Sequence, residues 1–467
     1  PVLGENPLMQ SIAWMVKSIC AAQHLVCGSD IQNPKSSEAN QMKFSTQRTA
    51  VKMAVALVAA PLLAASAQAA TVTISCGSVG QDFEFCKKHT AEWAQKTGHE
   101  VKLFTIPNST TDILALFRQM FAAKSTDLDV INVDVVWPGV IKDHLLDLKP
   151  YSKGIEKEHF PAIVANNTVN GKLLAMPWFT DAGLLYYRKD LVEKYGAKAP
   201  TTWEDMAATA KKIQDGERAA GNKDFQGFVF QAKAYEGLTC DAVEWIHSYK
   251  GGNIVNDKGE VTINNPGAVK ALKTAASWIG TIAPQGVLNY AEEEARGVFQ
   301  NGNAAFMRNW PYAWSLGNGA DSKVKGKIGV AALPKGGADG QNAATLGGWQ
   351  LAVSKYSKNP DAAASLVMYM TSAKVQKARA IGNSLNPTLP ELYKDKDVIA
   401  ANAFMANLSD VFANSVARPA TLTGLKYPQV SQSVFSAAHE VLSKRATGEE
   451  AVKRLEQRLK KIRRKHW

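Results

Sequence analysis

The chain has 467 residues, which is too long for one ordinary hydrophobic core, so we expect at least two lobes. Hydrophobic residues make up 46% of the sequence and charged residues 21%, a balance that is typical of globular proteins. No run reaches the roughly 18 consecutive apolar residues that a membrane-spanning helix requires, so none is predicted.

Residues 42–69 have the organisation of a secretory signal peptide. A positive segment begins at Met42, an apolar stretch too short to span a bilayer follows over residues 54–65, and a small-x-small tripeptide ends at Ala69. We therefore expect export to the periplasm with cleavage near Ala69. A lipid anchor is not expected, because no Cys follows the cut. Residues 1–41 carry no usable pattern and are predicted to be a non-structural upstream extension.

Export changes the interpretation of the cysteines. An oxidising compartment makes a disulfide between Cys76 and Cys86 plausible, closing a short loop at the start of the mature chain. Cys240 is then expected to be a lone, buried thiol. The spacing of ten without a Cys-x-x-Cys pair, together with eight scattered His, argues against a metal site.

The formal net charge of +12 is concentrated at the C-terminal end, where the last fifteen residues hold eight Lys or Arg against Glu456. Such a run could form an arm that binds nucleic acid. In an exported chain we favour the solvent-exposed end of a helix, and no nucleic-acid partner is predicted.

The mature chain begins with alternating strands and helices. Apolar periodicity predicts strands over residues 71–77, 100–106 and 129–136, with helices over 82–96 and 109–123. The order β-α-β-α-β builds a parallel sheet with helices on both faces. Asp134 lies at the carboxyl end of the third strand, where it either caps a helix over residues 140–148 or binds a ligand.

A second α/β unit follows a segment rich in aromatic residues. Trp178, Phe179 and Asp181 lie between Pro177 and Gly183, which indicates a crossing between lobes with a ligand beneath it. Beyond it we predict strands and helices in alternation, namely strands over 184–188 and 225–231 and helices over 189–195, 201–214, 240–249, 267–282 and 291–299.

The segment 303–314 organises the chain. An apolar strand runs into Arg308 and Asn309 and breaks at Pro311, with Trp310, Tyr312 and Trp314 on alternate positions around the break. Flat aromatic faces beside a polar rim suit a sugar ring, although core packing explains large aromatics equally well. Strand-to-helix transitions at strand carboxyl ends are where open α/β sheets bind ligands.

Three crossings between lobes are predicted, at residues 178–183, near residue 303, and at Gly347-Gly348-Trp349. Three crossings imply two lobes around a cleft, and such clefts are favoured small-molecule sites. The predicted first lobe comprises residues 71–178 with 303–347, and the second comprises 179–302 with 348–467.

The sequence lacks the usual signatures of catalysis. No Gly-x-Ser-x-Gly elbow, Walker A loop, His-Glu-x-x-His motif or clear Rossmann fingerprint is present. A glycosidase needs paired carboxylates, and Asp82, Asp134 and Asp181 could converge to supply them. Export without a catalytic signature nevertheless favours a carrier over an enzyme, and no cofactor is predicted.

Several stretches resemble a known family. They are V-D-V-V-W-P-G, F-T-D-A-G-L-L-Y-Y-R-K-D-L, A-Y-E-G-L-T-C-D, F-Q-N-G-N-A-A-F-M-R-N-W-P-Y-A-W, A-A-T-L-G-G-W and V-A-R-P. In order, they are similar to those of the extracellular solute-binding proteins, family one, of ABC sugar importers, and among these to trehalose/maltose-binding and alpha-glucoside-binding proteins. The resemblance implies a type II, maltose-binding-protein-like α/β fold with two lobes joined by three crossovers. It also implies a monomer that delivers sugar to permease subunits in the inner membrane.

Position by position, the resemblance assigns a sugar site. Acidic residues would bind hydroxyl groups, aromatic rings would stack on pyranose rings, one arginine would donate a hydrogen bond, and two glycines would let backbone amides approach. The residues implied are Asp82, Asp134, Asp181, the weaker candidate Glu236, Trp310, Tyr312, Trp349, Arg418, Gly347 and Gly348. Phe179 stands where thermophilic members often carry Tyr, and Asp82 where they carry Glu, so the preferred disaccharide can differ.

Two other functions stay open at this point. One is an exported glycoside hydrolase that acts on alpha-glucosides, and the other is a polyamine-binding protein of similar fold. Arg418 in the cleft argues against a cationic ligand.

Overall fold

The computed structural model describes residues 69–408, 411 and 414–467. The upstream extension and all but the last residue of the predicted signal peptide lie outside these residues. Within them, no helix combines the length and the apolar character needed to cross a membrane.

The strands of the described chain are numbered β1–β12 in chain order. They are β1 Thr71–Cys76, β2 Glu100–Thr105, β3 Val130–Asp134, β4 Thr168–Val169, β5 Lys172–Leu173, β6 Met176–Ala182, β7 Leu184–Arg188, β8 Gln226–Val229, β9 Ala304–Asn309, β10 Ile328–Ala331, β11 Ala344–Val353 and β12 Ser415–Val416.

Helices connect and cover these strands. The α-helices are Asp82–Thr97, Thr110–Ala122, Lys149–Ser152, Pro161–Asn167, Lys189–Lys194, Trp203–Ala219, Glu236–Ser248, Pro266–Trp278, Glu292–Gln300, Ala313–Gly317, Pro360–Met370, Ala373–Asn383, Lys396–Ala401, Ala420–Thr423, Tyr427–Leu442 and Gly448–Arg463. Short 3-10 turns are Lys142–His144, Ile155–Glu158, Gln285–Asn289, Pro390–Lys394, Ala403–Asn407 and Gly424–Lys426.

The first lobe is built on a six-stranded sheet. Its order is β12-β11-β3-β1-β2, with β6 paired to β11, and β1 is parallel to both β2 and β3. Every residue of β3 is buried, as expected for a strand covered on both faces. The predicted β-α-β-α-β order over residues 71–136 is confirmed.

The second lobe is built on a four-stranded sheet of order β10-β7-β9-β8. Its largest apolar cluster includes Trp203, Trp245 and Trp278, whose rings meet edge to face or tilted at centroid distances between 5.2 and 5.8 Å. The long helices Tyr427–Leu442 and Gly448–Arg463 pack on this cluster.

Strand pairing corrects the lobe assignment of residues 303–347. β9 pairs with β7 and β8 of the second sheet, and β10 pairs with β7, so no crossing occurs near residue 303. β11 instead joins the first sheet through β3 and β6, and the helix Pro360–Met370 packs there too. The chain therefore crosses at Gly183, between β10 and β11, and between β12 and the helix Tyr427–Leu442. Apolar patterning predicts a strand but not the sheet that it joins.

Three other predictions have clear outcomes. The helix expected over 140–148 is wrong, because only the 3-10 turn Lys142–His144 forms there. The basic C-terminal run lies on an amphipathic helix that starts in a capping box at Thr447 and buries Leu455 and Leu459, so its charges face outward. Cys76 and Cys86 are joined in a disulfide, and Cys240 is a buried free thiol.

Candidate functional site

A cavity with an empty volume of about 900 Å³ lies where strand ends of the two sheets face each other. All but one of the predicted ligand-binding residues line it, namely Asp82, Asp134, Phe179, Glu236, Trp310, Tyr312, Gly347, Gly348, Trp349 and Arg418. Asp181 is the exception and lies directly behind Gly347 of the cavity lining. A Cβ built on Gly347 would lie 3.2 Å from the Cβ of Asp181.

Two tryptophans provide the apolar part of the cavity. Trp310 follows β9, and its indole N–H donates to Glu292 Oε1 at 3.3 Å. Trp349 lies on β11 and meets the buried Trp137 edge to face, with ring centroids 5.5 Å apart. A Cβ at Gly347 would lie 3.0 Å from Trp310 Cζ3, so the lack of a side chain at Gly347 lets this ring approach β11 closely.

Tyr312 lines the cavity but uses its hydroxyl within the protein. The hydroxyl donates to Glu293 Oε1 at 2.7 Å. Its ring packs against Gly80 of the first lobe, where φ is +60° and a Cβ would lie 2.8 Å from Tyr312 Cδ2. The ring therefore contributes a surface to the cavity and a contact between lobes.

A buried cluster of charges surrounds Arg418. Its Nη1 donates to Glu236 Oε1 at 2.7 Å and its Nη2 donates to Asp134 Oδ1 at 3.2 Å. Glu236 also accepts hydrogen bonds from Tyr427 and from Ser431, the latter at 2.5 Å. The Glu236 carboxylate thus accepts hydrogen bonds from three side chains of the protein. We therefore assign Glu236 to holding Arg418 in place.

Asp134 does not cap a helix, which was one of the two roles that the sequence left open, because no α-helix forms over residues 140–148. Its Oδ1 accepts the backbone N–H of Val136 at 3.1 Å, which stabilises the turn after β3, and also the Arg418 bond. Burial raises the pKa of Asp134 even though the Arg418 charge opposes this shift. Asp134 nevertheless lines the cavity.

One of the other two acids, Asp82, contacts an arginine that sequence reasoning missed. Arg379, on the helix Ala373–Asn383, donates from Nη2 to Asp82 Oδ1. Burial raises the pKa of Asp82 despite this guanidinium, and it raises the pKa of Asp181 to about 7. Arg379 lies in an ordinary amphipathic helical pattern, and no local sequence signal marks it as buried.

One expectation about the segment 303–314 is wrong. Arg308 and Asn309 are not a polar rim, since their exposed fractions are 1% and 0%. Arg308 points into the second lobe, where its Nε donates to Glu244 Oε2 at 2.9 Å and forms an ion pair with Asp241 at 3.0 Å. Trp314 packs on Phe404 with ring centroids 5.3 Å apart and does not line the cavity.

One hydrogen bond beside the cavity joins the two lobes. The backbone N–H of Glu236 donates to Thr111 Oγ1 at 3.1 Å. Thr111 lies on a helix of the first lobe, whereas Glu236 begins a helix packed in the second. The lobes therefore meet at this side of the cleft.

Two α/β lobes with three crossovers and a cavity lined by aromatic and charged side chains define a periplasmic-binding-protein fold. The family profile of the bacterial extracellular solute-binding proteins matches residues 78–377, and the chain belongs to this family. A probable ABC transporter-binding protein of Deinococcus radiodurans is 56% identical over 406 residues, covering 86% of this chain and 96% of that relative. The chain is therefore a solute-binding protein of an ABC transporter.

Two further similarities bear on the ligand. The solved structure of maltose-bound T. maritima MalE3 is 42% identical, with a TM-score of 0.80 over 84% of this chain and all of that one. The maltodextrin-binding protein MdxE of Bacillus subtilis is 30% identical over 230 residues, which is 48% of this chain and 52% of that protein. The family prediction and the predicted fold class are thus confirmed.

Proposed function

We propose that this protein binds maltose, trehalose or a related alpha-glucoside disaccharide in the interlobe cavity and delivers it to an ABC permease of the inner membrane. One observation carries the proposal: Trp310 and Trp349 share a single cavity with Asp134 and Arg418. Indole faces suit the C–H faces of pyranose rings, while charged groups suit hydroxyl groups. The likeness to maltose-bound MalE3 supports the same ligand class.

The energetics are sufficient for useful affinity. Hydrogen bonds to charged groups are roughly twice as strong as neutral ones. Ring stacking adds about 0.5–1.5 kcal/mol per ring beyond burial. A micromolar site needs only about −8 kcal/mol in total, after the cost of closing the lobes.

Binding and delivery are linked by closure in this proposal. Asp134 lies on the sheet of the first lobe, and Trp310 follows a strand of the sheet in the second lobe. A sugar that contacts both residues favours the closed conformation, in which both lobes touch it. The permease would then recognise the closed form of a monomeric carrier. Periplasmic location follows from the family and from the signal peptide expected at residues 42–69.

The test is calorimetry and thermal shift of the mature protein with maltose, trehalose, sucrose and spermidine. We expect at least one disaccharide to bind with micromolar or tighter affinity and to raise the melting temperature, because it binds only the folded state. Spermidine binding in place of sugar would favour the polyamine alternative. Glucose released from a bound disaccharide would show a hydrolase and overturn the proposal.

A further inference from the structure

Several buried polar atoms without partners lie near the first-lobe end of the cavity. Asn383 Oδ1, both Nε and Nη1 of Arg379, and Asp181 Oδ1 are inaccessible and have no hydrogen-bond partner among the described residues. Buried polar groups in folded proteins are almost always hydrogen-bonded, because leaving them unpaired is costly. Asn383 is the one of these three residues that lines the cavity, so its carboxamide is the group that a polar ligand there would meet.

The backbone fixes Asn383 at this wall. It is the last residue of the helix Ala373–Asn383, which ends because Ser384 adopts a left-handed conformation with φ +53°. The chain then pairs with β6, where the N–H of Thr180 donates to the carbonyl of Asn386 at 3.0 Å. The Asn383 side chain is therefore held in the cavity lining beside Phe179.

Arg379 lies one helical turn earlier and faces the same region. Its guanidinium carbon lies 3.6 Å from the Trp178 ring centre and 5.2 Å from that of Phe179, so aromatic packing fixes the guanidinium plane. From there it binds Asp82, whose carboxylate also packs closely on Gly77. Arg379 itself does not line the cavity, whereas Asp82 does.

We propose that Asn383 and Asp82 form a subsite for neighbouring hydroxyl groups of one sugar ring, with Asn383 as a contact residue and Arg379 as the residue that positions Asp82. The proposal rests on the sugar-binding function above and extends it. A carboxamide both donates and accepts, as a hydroxyl group does. The Arg379–Asp82 pair is locally neutral in charge, so the subsite suits an uncharged ring rather than a uronate or a sugar phosphate.

The first experiment compares wild type with Asn383→Leu, which keeps the shape of the side chain and removes its polar atoms. Calorimetry uses the disaccharide that wild type binds and a set of its monodeoxy analogues. We expect Asn383→Leu to weaken binding of the parent sugar about tenfold and to bind one monodeoxy analogue as well as wild type does. Equal affinities of both proteins for every sugar, or an equal loss for every analogue, would overturn the contact.

The second experiment tests positioning by a double-mutant cycle of Arg379→Gln and Asp82→Asn. If Arg379 acts through Asp82, the double variant loses no more affinity than Asp82→Asn alone. Additive losses would overturn the positioning role. Lys377→Gln on the outer face of the same helix is the matched control, since Lys377 pairs with Asp395 and Asp397 rather than with a cavity residue.

The apo melting temperature of each variant shows whether it is folded. If Arg379→Gln is unfolded, Arg379→Lys takes its place in the cycle. The outcomes also separate the two proposals. Wild type that binds no sugar refutes the proposed function and this subsite with it. If the wild type binds sugar and the Asn383 and Arg379 variants bind it with the same affinity, the subsite alone is refuted.

Discussion

The guanidinium carbon of Arg308 lies 3.9 Å from the centre of the Trp310 ring. Arg308 is itself buried and bound to Glu244 in the core of the second lobe. The Trp310 ring is thus supported from the protein interior while it lines the cavity. A ring held in this way is pre-organised for stacking, because little side-chain freedom is lost when a sugar binds.

Replacing Trp310 by Ala should therefore abolish the sugar-induced thermal shift. The apo melting temperature should change little, because Trp310 is only partly buried. Trp314→Ala is the matched control, since Trp314 is also partly buried but packs on Phe404 away from the cavity. Loss of the shift in the control would show that the effect is not specific to the cavity, and a large fall in the apo melting temperature of Trp310→Ala would show that Trp310 acts as a core residue.

The difference between Trp310 and Arg308 illustrates what the sequence can predict. Aromatics around a strand break are a local pattern, and the structure does bring Trp310 and Tyr312 to the cavity. The position of Arg308 depends on Glu244, which is 64 residues away in the chain, and no local pattern contains that information. Arg308 was therefore assigned to the rim when it belongs to the core.

The same limit explains the other differences. Helix Asp82–Thr97 and strand Glu100–Thr105 were predicted almost to the residue because periodicity and end signals are local. The sheet that β9 joins depends on long-range pairing, and a partner for Asp82 depends on Arg379 nearly 300 residues later. Sequence reasoning thus identified ten of the 24 residues that line the cavity and missed the buried residues that support them.

Thr111 provides a test of closure. Thr111→Val removes the hydroxyl that accepts the Glu236 N–H across the lobes but keeps the side-chain shape. If this bond forms only in the closed state, we expect sugar affinity to fall about two- to tenfold, as for one hydrogen bond of about 0.5–1.5 kcal/mol. Calorimetry measures the loss, and Thr111→Ser, which keeps the hydroxyl, should bind normally. Unchanged affinity in Thr111→Val would show that the contact is not linked to binding.

Asp181 should make the apo protein less stable as the pH rises. Its pKa is raised by burial from 3.8 in an unfolded chain to about 7, so the folded state binds more protons between these values. The free energy of unfolding contributed by this group is therefore highest below pH 4 and falls until about pH 7.

Asp181→Asn mimics the protonated group and removes this dependence. At pH 8 the variant should be more stable than wild type by at most about 4 kcal/mol, and at pH 4 the two should be similar. Urea unfolding at both pH values measures the difference. A variant less stable than wild type at pH 8 would show that the charged carboxylate is stabilised by its arginine neighbours.

The buried pair of Arg308 and Glu244 should matter for stability far more than a surface pair. Glu244 Oε1 also accepts the N–H of Thr345 at 3.0 Å, and this hydrogen bond links the pair to β11. Removing one partner leaves a buried charge, so Arg308→Met should lower the free energy of unfolding by about 3–5 kcal/mol in urea titration. Lys211→Met, which breaks the exposed pair with Asp215, should cost about 1 kcal/mol or less. Similar losses in both variants would contradict this assignment.

The disulfide between Cys76 and Cys86 should support both stability and binding. The loop that it closes contains Asp82 of the cavity lining and Gly80, which packs against Tyr312 of the other lobe. Closing a loop of this length stabilises the fold by roughly 2–3 kcal/mol through the unfolded state.

The double variant Cys76→Ser and Cys86→Ser should therefore melt at a lower temperature and bind sugar more weakly, since the loop that carries Asp82 gains freedom. If the double variant retains wild-type affinity, the helix Asp82–Thr97 and Arg379 alone suffice to hold Asp82 in place.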